Sequence, residues 1–176
     1  MSEPDAPPPS EPQYHEGLPA QPIRILGQFI KDFSFEAPNA PDIFATLRTE
    51  APEIPITIDT NVRHIGGPTF EVSLSVQIEA VVSGGKKAFI LELVYSAVTE
   101  INERLVPQEH VHPILMIEVP RQMFPFVRQL VADITGNGGF PPLMLQVFDF
   151  ADMYRKKFGN PGQAATPPAD APPSIH

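Results

Sequence analysis

The sequence predicts an α+β domain in which a four-stranded antiparallel sheet precedes a long helix and a short C-terminal helix. Two observations predict the sheet. Apolar and polar residues alternate from Phe70 to Ala80, and residues 83–86 then lead into a second apolar run, Lys87–Val98. A period of two is typical of a strand with one buried face, and a short connection containing glycine is typical of a hairpin. The helical patterns come only after residue 106, an order typical of α+β proteins.

Two more strands are predicted before this hairpin. The first spans Ile25–Phe35 and the second Ile54–Asn61. Between them, prolines and Asn39 predict a loop over residues 37–52 with one helical turn at Pro41–Leu47. Because Pro55 has no N–H to donate, we expect the second strand at a sheet edge. The alternation in the first strand predicts two faces, one with Phe29, Lys31, Phe33 and Phe35, and the other with Ile30, Asp32, Ser34 and Glu36.

Three helical segments follow the strands. Residues 107–118 predict a short, poorly defined helix. A longer helix repeats apolar residues at helical spacing up to the glycine-rich stop at Gly136, and it either has Pro120 in its first turn or is kinked or started by Pro125. The last helix is predicted at Asp149–Phe158, with Asp149 as N-cap and basic residues near its negative end.

Composition limits the class of protein. The chain has 176 residues, a net charge of -9 and no cysteine, which fits one domain without disulfides and argues against nucleic-acid binding. Its 23 prolines are concentrated toward the ends, so we expect disordered tails at 1–22 and 159–176 around a folded domain at 23–158. The first residues lack a basic start and an apolar run, and no window suits a membrane span, so we expect a cytoplasmic protein without membrane insertion.

The motifs of common enzymes and metal sites are not found in the sequence. The glycine pairs lack the lysine and Ser/Thr spacing of a phosphate-binding loop, and His110 and His112 lack a third ligand nearby in sequence. No nucleophile can be assigned together with a base. The sequence therefore predicts no catalytic residue, no metal site and no enzyme, and favours a domain that binds other polypeptides.

The fourth predicted strand is apolar on both faces. One face carries Phe89, Leu91, Leu93 and Tyr95, and the other carries Ile90, Val94 and Val98, interrupted by Glu92. A half-exposed antiparallel strand normally alternates. Because too little helix remains to cover both faces, we expect the chain to form an oligomer.

Several segments resemble the SecB family of protein-export chaperones. The run Lys-Asp-Phe-Ser-Phe-Glu-Ala-Pro-Asn-Ala-Pro at residues 31–41 is similar to the end of that family's first strand, and Ala88–Glu92 to its fourth strand. Phe124–Arg128 resembles its helix start, and residues 139–151 its late loop and helix. The segments keep the family's order across residues 24–158.

The resemblance implies a homotetramer, a dimer of dimers, in which each subunit contributes a four-stranded sheet. It implies an ATP-independent holdase that binds unfolded precursor proteins and delivers them to the SecA ATPase for export. It implies no nucleotide and no cofactor. Two alternatives stay open: a small-molecule or lipid-binding domain, and an adaptor chaperone for a single client.

The resemblance also implies three groups of site residues. SecA contacts fall on Asp32, Glu36, Ile90 and Glu92. Positions that affect assembly fall on Leu91, Leu93 and Tyr95, on the opposite face of the fourth strand. The client-binding groove falls on Phe44, Leu47, Phe140, Leu143, Leu145, Val147, Phe148 and Phe150.

Overall fold

The computed structural model describes residues 20–159. Most of the two tails predicted to be disordered lies outside these residues, so that expectation stays a prediction. The predicted class is confirmed: the four strands precede the longer helices, and the one-turn helix α1 lies between the first two strands. The elements are β1 (Ile23–Glu36), α1 (Ile43–Thr46), β2 (Ile56–Gly66), β3 (Thr69–Val81), β4 (Lys87–Ile101), α2 (Gln108–Pro113), α3 (Val119–Asn137) and α4 (Phe150–Phe158).

The four strands form one antiparallel sheet in the order β1-β4-β3-β2. The predicted hairpin is confirmed, since β3 pairs directly with β4 through a turn at Ser83–Gly85. The second strand lies at an edge, as Pro55 predicted. Pro55 itself lies just before β2, where its carbonyl accepts a hydrogen bond from the Glu79 N–H at 3.4 Å.

The two faces of the sheet have different environments. The inner face packs against α3 and holds the core, in which Leu74, Leu93, Met123 and Val127 are buried. The outer face carries mostly polar side chains, such as the exposed Gln77 and Glu92. This division follows from the two-residue period of β3 and β4.

In β1 the predicted assignment of side chains to faces is wrong for Phe29, Ile30 and Lys31, and the Lys31 side chain reaches Glu71 on the outer face. Ile30 pairs with Tyr95 and Asp32 with Val94, so Lys31 is an extra residue that shifts the register. A bulge moves the residues on one of its sides to the opposite face. Ile30 therefore shares the inner face with Tyr95, whereas Phe29 lies beside Ser96 on the outer face.

The helical part is continuous from residue 108 to residue 137. A π-helical turn at Ile114–Glu118 joins α2 to α3. Of the two starts that the sequence left open, the structure has the earlier one: Pro120 lies in the first turn of α3, and Pro125 lies inside the helix. Asp149 is the N-cap of α4, as predicted, and its carboxylate accepts a hydrogen bond from the Asp152 N–H at 2.9 Å.

Candidate functional site

The four aromatic residues of the predicted groove fall into two clusters. The first is centred on Phe140, whose ring centroid lies 5.1 Å from that of Phe44 and 4.9 Å from that of Phe89. Phe35 completes it at 6.2 Å from Phe140. This cluster links the loop after β1 to the loop after α3, as the predicted groove requires.

The second cluster lies where α4 begins. The ring centroid of Phe150 lies 5.0 Å from that of Phe148 and 5.6 Å from that of Phe124 on α3. Edge-to-face aromatic pairs of this kind add to the stability that burial provides. The cluster therefore fixes the start of α4 against α3.

Burial divides the eight predicted groove residues into three groups. Phe140, Leu145 and Phe150 are buried and belong to the core. Phe44, Leu47, Leu143 and Phe148 are half-buried. Val147 is 88% exposed, and the neighbouring Met144, which the sequence analysis did not select, is 55% exposed. The exposed apolar surface of the predicted groove thus centres on the extended loop that carries Met144 and Val147, which we call the client loop (residues 141–149) after its predicted role.

A buried threonine holds the client loop to α3. The Thr135 hydroxyl donates to the carbonyl of Val131 at 2.8 Å and accepts from the Leu143 N–H at 2.9 Å. The sequence analysis missed this residue because a threonine at the end of an amphipathic helix is an ordinary helix residue. Only the fold shows that its hydroxyl fixes the loop.

Two glycines bring the loops together. A Cβ at Gly138 would lie 2.5 Å from the Phe35 ring, a distance that would force the ring to move. Gly139 has a φ of +87°, which favours glycine, and a Cβ there would lie 3.2 Å from Phe44. The glycine run therefore both ends α3 and allows the first aromatic cluster to form.

A shallow cavity of about 410 Å³ lies beside Phe148 along α4. Its other lining residues include Asp152, Met153, Lys156 and Lys157. Hydrogen bonds from Lys156 and Arg155 lower the pKa of Asp152 below its usual value. The cavity thus continues the apolar client loop into a charged surface.

The four predicted SecA-contact residues lie together on the outer face. Glu36 pairs with Ile90, and Ser34 pairs with Glu92, so the outer-face side chains of β1 and β4 lie side by side and form one patch. Asp32, Glu36 and Glu92 are exposed and Ile90 is half-buried. We call these four residues the acidic patch. Carboxylates at this density attract a basic segment.

A buried carboxylate lies farther along the same face. The side chain of Glu71 on β3 is only 4% exposed, although the alternation of β3 directs it outward. Lys31 donates to its Oε1 at 2.6 Å, and Arg63 donates to its Oε2 through Nε at 2.9 Å and also through Nη2. These hydrogen bonds, from Lys31 first and then Arg63, lower the pKa of Glu71 to about 2. We call the three residues the cationic cluster, because its three charges sum to plus one at neutral pH.

The predicted assembly residues are covered within the single chain. Leu91, Leu93 and Tyr95 are 0%, 1% and 9% exposed on the inner face. An effect of these residues on assembly therefore acts through the packing of the chain on itself, and their role stays a prediction. Beside them, Ile30, Phe33 and Phe126 are 47%, 41% and 51% exposed, and we call these three residues the bare apolar surface. Phe126 stacks on Tyr95 with ring centroids 6.4 Å apart.

Among the helices of residues 20–159, none combines the length and apolar character that crossing a membrane requires.

Comparisons of this sequence with known proteins identify its family. Residues 18–160 match the family "Preprotein translocase subunit SecB". The protein-export protein SecB of Rhodospirillum rubrum is 53% identical over 141 residues, which cover 80% of this chain and 85% of that protein. The SecB of Paramagnetospirillum magneticum is 47% identical over 142 residues, or 81% of this chain and 88% of that protein.

A solved structure has the same fold. It is a SecB-like chaperone of Mycobacterium tuberculosis in complex with a ChAD peptide from the HigA1 antitoxin. The TM-score is 0.57 at 15% sequence identity, with 72% of this chain and 90% of that chain covered. Together with the family match and the two relatives, the sheet and its following helices lead to one conclusion: the chain belongs to the SecB family.

Proposed function

We propose that this protein is a cytoplasmic chaperone that keeps unfolded precursor proteins soluble without nucleotide and delivers them to the SecA ATPase. The observation that carries the proposal is the client loop. In a chain of the SecB family, it exposes Met144 and Val147 beside two aromatic clusters. Exposed apolar side chains that continue into a half-buried aromatic surface are typical of a binding site, and the unbranched methionine can adapt to clients of different shape.

Client binding rests on many weak apolar contacts. Burying one aromatic or aliphatic client side chain against this surface contributes about 1.5–3 kcal/mol before ordering costs. The unfolded chain loses entropy at each contact, so useful affinity requires several contacts along a long segment. The half-buried Leu143 and Phe148 of the client loop and the half-buried Phe44 and Leu47 from the segment after β1 extend this surface.

SecA binding rests on the acidic patch, which lies on the other face of the sheet from α3. The partner segment expected from the family, the C-terminal end of SecA, is basic. Contacts between exposed charges act mainly on association rate and weaken with salt. Because the client loop and the acidic patch belong to different surfaces, one subunit can hold a client and contact SecA at once.

Assembly into a homotetramer, a dimer of dimers, rests on the bare apolar surface at the β1 side of the sheet. There Ile30, Phe33 and Phe126 are all more than 40% exposed. Burying such a surface against a second copy removes apolar area from water. The mapped positions Leu91, Leu93 and Tyr95 support that surface from beneath.

The proposal is tested by diluting several unrelated unfolded precursors from denaturant into the full-length protein without nucleotide. We expect light scattering from aggregates to fall and the precursors to stay protease-sensitive. The double variant Met144→Ser with Val147→Ser should lose much of this protection, whereas the control Ile65→Ser, exposed on β2, should keep it.

The outcomes separate the alternatives. Protection of only one precursor would favour an adaptor for a single client. No protection, together with stoichiometric binding of a compact apolar compound, would contradict the chaperone and favour a small-molecule or lipid-binding domain.

A further inference from the structure

The cationic cluster lies on the same sheet face as the acidic patch, and the strand register relates the two. On β4, Glu92 lies in the acidic patch, and Val98, six residues on, pairs with Glu71 of the cluster. Six residues of a strand span about 20 Å. One extended polypeptide segment crossing the face therefore reaches both regions.

The two regions differ in charge because the cluster masks its own acid. Lys31 on β1 and Arg63 on β2 reach Glu71 on β3 from opposite sides, and Lys31 spans the intervening strand β4 to do so. The Glu71 carboxylate is covered, whereas the side chains of Lys31 and Arg63 remain 46% and 65% exposed. A partner above this region thus meets cations and not the carboxylate.

The cations keep donors for a second anion. Arg63 uses Nε and Nη2 on Glu71, and its Nη1 donates to no residue in the described part of the chain. The half-exposed Lys31 ammonium carries three donors, and one hydrogen bond to Glu71 is present. Phe29, 42% exposed, lies on the same side of β1 as Lys31 and adds an apolar surface next to these donors.

We infer that the outer face is a two-ended docking surface. Its acidic patch receives the basic part of a partner segment, and its cationic cluster receives an acidic group of the same segment about six residues away. The inference rests on the proposed docking of a partner on the acidic patch and adds the orientation in which the partner segment binds. The masked Glu71 keeps the far end from attracting lysines, so the segment docks in one orientation.

The test uses two synthetic peptides with dye labels and capped ends. One carries four lysines, a spacer of six glycines and serines, and two glutamates; the other has two glutamines in place of the glutamates. Neither contains an apolar residue that would favour the client loop. Binding to the full-length protein is measured by fluorescence anisotropy at low salt, and the ratio of the two affinities is the readout.

Two variants change the charge of the cationic cluster in opposite directions, and a third changes the acidic patch. Glu71→Gln raises the net charge of the cluster from plus one to plus two, and the remaining cations stay solvated because both are well exposed. The triple variant Lys31→Gln, Glu71→Gln, Arg63→Gln lowers the net charge to zero without leaving a buried charge unpaired. Glu92→Gln removes one charge from the acidic patch. Circular dichroism and light scattering check that each variant keeps the wild-type fold and assembly.

The net charge of -9 favours the more cationic glutamine peptide in every variant, so each affinity ratio is compared with that of the triple variant. Relative to the triple variant, the wild-type protein should favour the glutamate peptide about two- to fourfold, which is the size of an exposed charge pair. In Glu71→Gln this relative preference should rise by a similar factor. If the triple variant does not fold, the rise in Glu71→Gln still decides the matter.

Two results overturn the inference in distinguishable ways. If Glu92→Gln weakens both peptides but the ratio is the same in wild type and Glu71→Gln, the acidic patch docks the lysines and the cationic cluster has no role. If Glu92→Gln leaves both affinities unchanged, the acidic patch is not a docking surface, and both the proposal for SecA and this inference are wrong.

Discussion

The same substitution at two buried threonines should destabilise the protein at one position and not at the other. Thr135 and Thr99 are each fully buried. The Thr135 hydroxyl donates into α3 and accepts from the Leu143 N–H of the client loop, whereas the Thr99 hydroxyl on β4 has no hydrogen-bond partner among residues 20–159. Valine has nearly the shape of threonine without the hydroxyl, so Thr→Val isolates the hydrogen bonds.

The expected free energies follow from these contacts. Thr135→Val removes a satisfied hydroxyl and leaves the half-buried Leu143 N–H without its acceptor, which should cost about 1–2 kcal/mol of unfolding free energy. Thr99→Val removes a buried polar atom that makes no hydrogen bond, so the unfolding free energy should stay equal or rise by about 1 kcal/mol.

The measurement is urea unfolding at matched protein concentration, since assembly couples stability to concentration. A cost of 1–2 kcal/mol lowers the midpoint by about 0.5–1 M for a typical urea dependence. Hydrogen exchange at the Leu143 amide should also become faster in Thr135→Val and not in Thr99→Val. Equal midpoints for the two variants, or a lower midpoint for Thr99→Val, would refute the assignment of Thr135 as the residue that holds the client loop.

Three further predictions concern assembly, SecA and acid. Phe33→Asp places a charge on the bare apolar surface and should reduce the mass measured by light scattering, whereas Ile65→Asp, at a similarly exposed position on β2, should not. Glu92→Lys should weaken SecA binding about tenfold or more at low salt and by less at high salt. Glu109→Lys on α2 is the charge-matched control, and client binding should stay unchanged in both variants. Equal loss of SecA affinity in the two variants would contradict the role of the acidic patch. The pKa of Glu71 is lowered to about 2 from a usual 4.5, so the stabilisation by its carboxylate is fully present above pH 4.5 and is lost as the pH falls toward 2. The difference in unfolding free energy between wild type and Glu71→Gln should therefore shrink over that range in denaturation experiments. A difference that stays constant with pH would contradict the prediction.

Period-two alternation was sufficient to predict most of the sheet. It placed Glu92 and Ile90 on one face of β4 and Leu91 and Leu93 on the other, because burial of one face enforces the register of a strand. Local chemistry was sufficient for the N-cap at Asp149, since the carboxylate satisfies an N–H within three residues.

The sequence patterns failed where a feature depends on distant residues. The bulge at Lys31 inverts Phe29 and Ile30, and bulges are fixed by how two strands pair, not by either strand alone. Glu71 reads as an exposed strand residue, yet it is buried by cations that lie 40 positions before it and 8 positions before it in the chain. No local signal distinguishes it from Glu79.

The central claim is that client and SecA use separate surfaces of one subunit, and site-specific photo-crosslinking tests it most directly. The crosslinker is placed at Val147, in the client loop, or at Gln77, which pairs with Glu92 on the outer face; both positions are exposed. We expect an unfolded precursor to crosslink from position 147 and not from 77, and SecA to crosslink from 77 and not from 147. A precursor that crosslinks equally from both positions, or SecA that crosslinks from 147 alone, would contradict the account.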